Sequence, residues 1–153
     1  MFKNNGFSLI ELMTVILIIG ILIGIAVPTI NRNIPYRRLL NGTSQVKSDL
    51  SLMRQKSLME MSSYGLLINI SSPNQYILYQ DRNGNGSFDI GTDRQVTIRN
   101  LPGNVRFVSN TNININFLRN GILNSNSNFN LLLQNNRDEQ KALTIMLSGV
   151  VVD

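Results

Sequence analysis

The sequence predicts an α+β protein in which a long, kinked amino-terminal helix, apolar at first and amphipathic further on, packs on an antiparallel β-sheet domain. Three observations carry this expectation. An almost unbroken apolar run extends from Phe7 to Val27, apolar residues then recur at helical spacing from Leu39 to Met61, and beyond Gly65 the chain breaks into short apolar or alternating segments separated by turn residues. A helical stretch followed only by strands argues for a helix laid on a sheet. The expected organisation is a polar leader at 1–6, a membrane-length helix at 7–28, its amphipathic continuation at 29–63 and the sheet domain at 64–153.

The first helix is long enough to matter in lipid. Phe7 to Val27 matches the ~20 apolar residues that cross hydrocarbon at 1.5 Å rise per residue, and Glu11 is its one formal charge. An ionised side chain at the bilayer centre costs roughly 2.5–3.5 kcal/mol, so a carboxylate near the start of such a segment points to a function. A secretory signal peptide would have a shorter apolar core closing on a small-residue cleavage site. Here the run ends at Ile25-Ala26-Val27-Pro28-Thr29 and continues into a helical pattern, which argues against removal at that point. Gly20 and Gly24 form a G-x-x-x-G spacing that allows close helix packing, while each glycine weakens a helix by about 1 kcal/mol relative to alanine. With Pro28 one turn on, an extension joint and an ordinary kink are both open readings.

The second half of the helix is amphipathic. Leu39, Val46, Leu50, Met53 and Met61 share one stripe, with Lys47, Asp49, Arg54, Lys56 and Glu60 mainly elsewhere. Asn41 and Gly42 blur its start, and Ser62-Ser63-Tyr64-Gly65 supplies a stop signal. Strands are then expected at 66–70, 75–79, 95–98, 105–108, 113–118, 129–133 and 143–152, punctuated by Ser72-Pro73-Asn74, Pro102-Gly103-Asn104 and Asn120-Gly121. The asparagine-rich stretch from Asn110 to Asn136 contains the strict alternation Asn112-Ile113-Asn114-Ile115-Asn116-Phe117. Period two places the Ile and Phe side chains on one face and the asparagines on the other, with a loop at 124–128.

A second chemical signal lies at Asp81-Arg82-Asn83-Gly84-Asn85-Gly86-Ser87-Phe88-Asp89-Ile90-Gly91-Thr92-Asp93. Oxygen donors at the first, third, fifth and ninth places, with glycine at the sixth, resemble a calcium loop of the EF-hand type. The candidate ligands are Asp81, Asn83, Asn85, Ser87, Asp89 and Asp93. Thr92 stands where a bidentate glutamate is usual, and Arg82 and Arg94 reduce the local negative charge, so weak binding is expected. The alternative is a glycine-rich strand connection whose Asp and Asn side chains make turn hydrogen bonds.

Composition removes several function classes. The 153 residues include no cysteine and no histidine, which excludes a disulfide framework, a thiol nucleophile and the commonest general base and nitrogen ligand for metals. The one S-x-x-K, Ser44-Gln45-Val46-Lys47, lies in a polar helical pattern without the partner motifs of serine acyltransferases. A non-enzymatic protein with no firmly implied cofactor is expected. The net charge is +5, but its arginines are scattered, so no concentrated phosphate-binding patch is evident.

Gly6-Phe7-Ser8-Leu9-Ile10-Glu11-Leu12 resembles the leader junction of type IV prepilins and type II secretion pseudopilins. That resemblance implies that a membrane prepilin peptidase cuts after Gly6 and methylates the new amino terminus at Phe7. It also implies that Glu11 meets the terminal ammonium of a neighbouring subunit during assembly. The stretch from Gly20 to Pro28 can extend within such filaments. The order of elements is similar to the H-type minor pseudopilins and their FimT-type relatives. The implied protein is a single-pass subunit of the bacterial inner membrane with its carboxy-terminal domain outside the cytoplasm. It would join a periplasmic type II secretion pseudopilus or a surface type IV pilus, with other pilins and the inner-membrane assembly platform as partners. Arg32, Arg37 and Arg38 follow the apolar run, where the positive-inside rule alone would set the opposite orientation; the leader motif outweighs that statistical rule. Two alternatives stay open: a DNA-uptake or adhesive minor pilin, and a calcium-dependent membrane-anchored domain. FimT-type DNA receptors carry Gly-Arg-x-Arg near the carboxyl terminus, whereas this chain has Gly149-Val150-Val151-Val152 there.

Overall fold

A computed structural model describes residues 7–152, with only the backbone described at 26–32. Its elements are one helix, α1 (Leu9–Glu60), and eight strands, β1 (Ser63–Ile68), β2 (Gln75–Asp81), β3 (Arg94–Asn100), β4 (Arg106–Phe107), β5 (Ile113–Phe117), β6 (Phe129–Gln134), β7 (Gln140–Ile145) and β8 (Val151–Val152). The chain divides into two compact units, Met1–Ile34 and Pro35–Asp153, and α1 contributes to both.

In the first unit the helix begins at a capping interaction written in the sequence. Ser8 O accepts the N–H groups of Glu11 and Leu12, and Ser8 N–H donates to Glu11 Oε2 at 3.4 Å. That is the carboxylate half of an S-x-x-E capping box, which satisfies a donor the first turn cannot bond internally. The helix runs without interruption through Gly20, Gly24 and Pro28. All side chains from Phe7 to Ile25 are exposed, on every face of the helix. Among the described residues no helix is long and apolar enough to cross a membrane. The described side chains of the apolar run stop at Ile25.

The second unit is built on the expected stripe. Leu39, Val46, Leu50 and Met53 are fully buried, whereas Met61 is 69% exposed and lies past the helix end. The helix therefore stops at Glu60, earlier than the expected 62–65. Met61 takes φ 48°, the left-handed reversal that usually follows a helix. Gly65 is no stop signal. It sits inside β1 opposite Tyr79 of β2, and a Cβ there would lie 2.6 Å from the Tyr79 ring, so the glycine makes room for an aromatic across the strand pair.

Instead of one sheet there are two, each antiparallel and four-stranded, in the orders β3-β2-β1-β5 and β4-β6-β7-β8. The alternating residues of both sheets and the helix stripe join one apolar core. It includes Leu66, Ile68, Tyr76, Leu78, Ile115 and Phe117 from the first sheet and Phe107, Leu131, Leu133, Leu143 and Ile145 from the second. The single strand expected over 143–152 is two strands. A turn through Met146–Val150, closed by Met146 N–H to Val150 O at 2.8 Å and reversed at Gly149 (φ 79°), separates β7 from β8. Edge strand β3 is exposed except at half-buried Thr97, broken by a bulge opposite Leu78 and Tyr79, and carries Arg94 and Arg99, features that discourage indiscriminate strand pairing.

Polar ties lock α1 to the sheets. Tyr76 Oη donates to Asp49 Oδ2 at 2.6 Å and accepts from Gln45 Nε2 at 2.9 Å, while the Arg99 guanidinium lies 3.6 Å from the same carboxylate. Burial first, and the Asp49 carboxylate next, push the Tyr76 phenol well above its usual range. Farther along, Arg54 Nε donates to Gly121 O at 3.1 Å. A Cβ on Gly149 would lie 2.1 Å from Gly121 O and 2.7 Å from Arg54 Nε, so this tie requires glycine at 149. Gly149 thus closes the β7–β8 turn against α1.

Candidate functional sites

The residues singled out in the sequence fall into two places, the amino-terminal segment and the β2–β3 loop. In the segment, Gly6 lies outside the described residues and Pro28 is described by its backbone alone. Phe7 is 82% exposed and Glu11 sits in the first helical turn, its carboxylate on the Ser8 N–H. One carboxylate therefore stands beside a helix amino terminus, where the helix dipole favours negative charge. Around it, Leu9, Ile10, Leu12, Met13 and Ile16 are all exposed. At Gly20 and Gly24 an added Cβ would meet nothing within 4 Å, so the space above both glycines is open to an approaching helix.

The β2–β3 loop is closed on itself. Asp81, at the end of β2, is 4% exposed; its Oδ1 accepts Gly84 N–H at 2.6 Å and its Oδ2 accepts Gly86 N–H at 2.9 Å. Asp93, at the other end, takes Arg82 N–H at 2.9 Å and Asp89 N–H at 2.8 Å. Asp89 Oδ2 receives the side-chain amides of Asn83 at 2.9 Å and Asn85 at 2.6 Å. The two amide oxygens accept Asn85 N–H and Ser87 N–H. Positive φ at Gly84, Gly86 and Gly91 gives the backbone its reversals.

Six candidate calcium ligands are thus gathered in one loop, but each carboxylate is engaged by N–H donors. Asn83 and Asn85 turn nitrogen, not oxygen, toward Asp89. Among the described residues no group of three or more acidic side chains is arranged to hold a metal. In this arrangement the donor set does not fit a cation; both amides would have to turn over to offer oxygens.

Sequence reasoning missed what anchors this loop. It folds over the first sheet on the face away from α1, where Tyr79, Asn114 and Asn116 wait for it. Tyr79 Oη donates to Asn114 Oδ1 at 2.6 Å, Asn114 Nδ2 donates to Gly86 O, and Asn116 Nδ2 reaches Asp81 Oδ2 at 3.2 Å. Phe88 packs on the Tyr79 ring with centroids 5.2 Å apart. Burial raises the Tyr79 phenol to about 12. The alternation in β5 pointed to an asparagine face; what covers that face depends on residues far away in sequence.

Two family models match the chain. Residues 1–27 match the prokaryotic N-terminal methylation motif, and residues 42–150 match type II transport protein GspH. No curated protein sequence matches at a significant level. Solved structures share the fold. The type IV minor pilin FimU of Pseudomonas aeruginosa is 12% identical, with TM-score 0.55 over 74% of this chain and 90% of that one. A second crystal form of FimU gives 12% identity and TM-score 0.58 over 76% and 88%. The minor pseudopilin EpsH from the type 2 secretion system of Vibrio cholerae is 15% identical, with TM-score 0.52 over 74% of this chain and 92% of that one.

Proposed function

The chain belongs to the family of the type II transport protein GspH, and from that premise we propose that its amino-terminal helix is the assembly element of a filament. Family and fold are those of structural subunits, and the chain is a minor pilin or pseudopilin subunit. In our reading a prepilin peptidase cuts between Gly6 and Phe7 and methylates the new terminus. The helix from Phe7 onward anchors the chain in the bacterial inner membrane, with the sheet domain outside the cytoplasm. It then packs against other pilins in a type II secretion pseudopilus or a type IV pilus.

The observation that carries this reading is the all-round exposure of aliphatic side chains from Leu9 to Ile25 with Glu11 as their one carboxylate. A helix apolar on every face requires lipid or neighbouring helices around it. Glu11 then supplies registry. An unpaired carboxylate is costly in lipid, and an ammonium from a neighbouring subunit offsets much of that cost. Gly20 and Gly24 let a partner helix approach closely, and the stretch to Pro28 serves as the extension joint.

No step of this role calls for catalysis. The reading gives nucleic acid little support, since the arginines are scattered and three of them, Arg54, Arg99 and Arg106, are engaged with Gly121, Asp49 and Gln134 of the chain itself. The β2–β3 loop acts chiefly as an ordered strand connector that takes calcium weakly, if at all.

The test is Glu11→Ala in a host with the peptidase and the filament machinery. Removing the charge favours lipid, so membrane fractionation stays intact or improves, while copurification with other pilins falls. Equal copurification of variant and wild type would overturn the role given to Glu11.

A further inference from the structure

The β2–β3 loop holds two Asn-Gly pairs in tandem, Asn83-Gly84 and Asn85-Gly86, with both asparagines exposed. In such a pair the backbone nitrogen of glycine meets little steric hindrance in approaching the asparagine side chain, because glycine has no Cβ. Attack forms a bond from Gly N to Asn Cγ and expels the side-chain nitrogen as ammonia, which carries off the proton from Gly N–H. The resulting five-membered succinimide is opened by water at either carbonyl, leaving aspartate or isoaspartate. No oxidant or reductant is involved, and water is the only co-reactant.

Ring closure needs an asparagine side chain free to swing toward the next nitrogen, and a nitrogen free to lose its proton. The closed loop denies both. Asp81 holds the two attacking nitrogens by their protons, Gly84 N at 2.6 Å and Gly86 N at 2.9 Å, and its negative charge opposes their deprotonation. Each asparagine is held at both ends. The nitrogens of Asn83 and Asn85 lie on Asp89 at 2.9 and 2.6 Å, and their oxygens accept Asn85 N–H at 3.0 Å and Ser87 N–H at 2.8 Å.

We infer that the β2–β3 loop is a guarded deamidation site, in which Asp81 and Asp89 hold Asn83 and Asn85 in their amide form and opening of the loop commits them to aspartyl or isoaspartyl residues. The change reinforces itself. Each product lacks the N–H that Asp89 accepts and sets a second negative charge beside Asp89, so the altered loop closes less well than the original. The inference does not depend on the loop taking a cation. Asn120-Gly121 serves as an internal comparison, since Gly121 N–H is held by the Leu118 carbonyl at 2.8 Å instead of by a carboxylate.

The experiment follows deamidation site by site, by peptide mass spectrometry, in the full-length chain held in detergent micelles at mildly alkaline pH. In the folded wild type, Asn83 and Asn85 convert at least about tenfold more slowly than in the denaturant-unfolded chain, the factor set by an opening free energy of ~1.4 kcal/mol or more. Asp81→Ala brings both sites close to the unfolded rate, and Asp89→Ala accelerates both in part, with Asn120 unchanged. Equal rates in folded and unfolded wild type would overturn the inference. So would an Asp81→Ala chain that keeps the wild-type Asn120 rate and converts Asn83 and Asn85 no faster than wild type. Should Asp81→Ala unfold the domain and raise the Asn120 rate as well, Asp89→Ala decides, and no acceleration at Asn83 or Asn85 in that variant overturns the inference.

Discussion

Gly65 and Gly149 show how single residues set the packing of this domain. Each is glycine because another group occupies the space of a Cβ, the Tyr79 ring in one case and Gly121 O with Arg54 in the other. Gly65→Ala and Gly149→Ala are each expected to destabilise the folded domain by about 1–3 kcal/mol, the usual range for overpacking; at Gly149 the strain of a side chain at positive φ adds to it. Denaturant midpoints measure both. Gly65→Ala should in addition loosen the β2–β3 loop, because Tyr79 must move and it carries Phe88 and Asn114 with it. A second residue-scale expectation concerns alkaline pH. Burial raises the phenols of Tyr64 and Tyr79 to about 12, against an ordinary value of about 10. A raised folded pKa contributes stability that is fully present below the unfolded value and lost as pH rises through the folded one. The melting temperature should therefore hold up to about pH 10 and fall between about 10 and 12, and Tyr79→Phe should shallow that fall.

At the scale of elements, what was legible in the sequence was what is local. The stripe Leu39, Val46, Leu50 and Met53 repeats at helical spacing, and all four residues are buried in the core. The alternation in β5 likewise sends Ile113, Ile115 and Phe117 inward. The end of α1 was not legible, because Gly65 reads as a stop until Tyr79 is placed across from it in β2. Nor was the division into two sheets, since strand order depends on pairings between distant segments, and the β7–β8 reversal hides in an apolar run. The β2–β3 loop was visible as a set of oxygen donors, but its lid-like seat on Tyr79, Asn114 and Asn116 was not, because those residues lie on other strands. This loop carries its own prediction. With its carboxylates engaged by backbone and side-chain N–H groups, calcium should raise the melting temperature only at millimolar levels, by mass action on the folded state. Calorimetric titration showing sub-micromolar binding, lost in Asp81→Ala, would mean that the amides turn over readily to admit the ion.

On the scale of the molecule, the chain divides the labour between its two units. Residues from Pro35 onward bury their own apolar stripe in a core shared by α1 and both sheets, while in the first unit the described side chains from Phe7 to Ile25 are all exposed. A chain beginning at Arg37 should therefore fold as a soluble monomer with a cooperative melt, and aggregation without one would show that the first unit is needed for folding. In the proposed role the exposed helix of the first unit meets lipid and other subunits, and whether it becomes an assembly element turns on how its amino terminus is made. That is best read by amino-terminal peptide and intact-mass analysis of the chain from a host that has the prepilin peptidase. The expected product begins at N-methylated Phe7, with Met1 to Gly6 removed; a chain that keeps Met1, or one cut after Ala26, would contradict assembly through this helix.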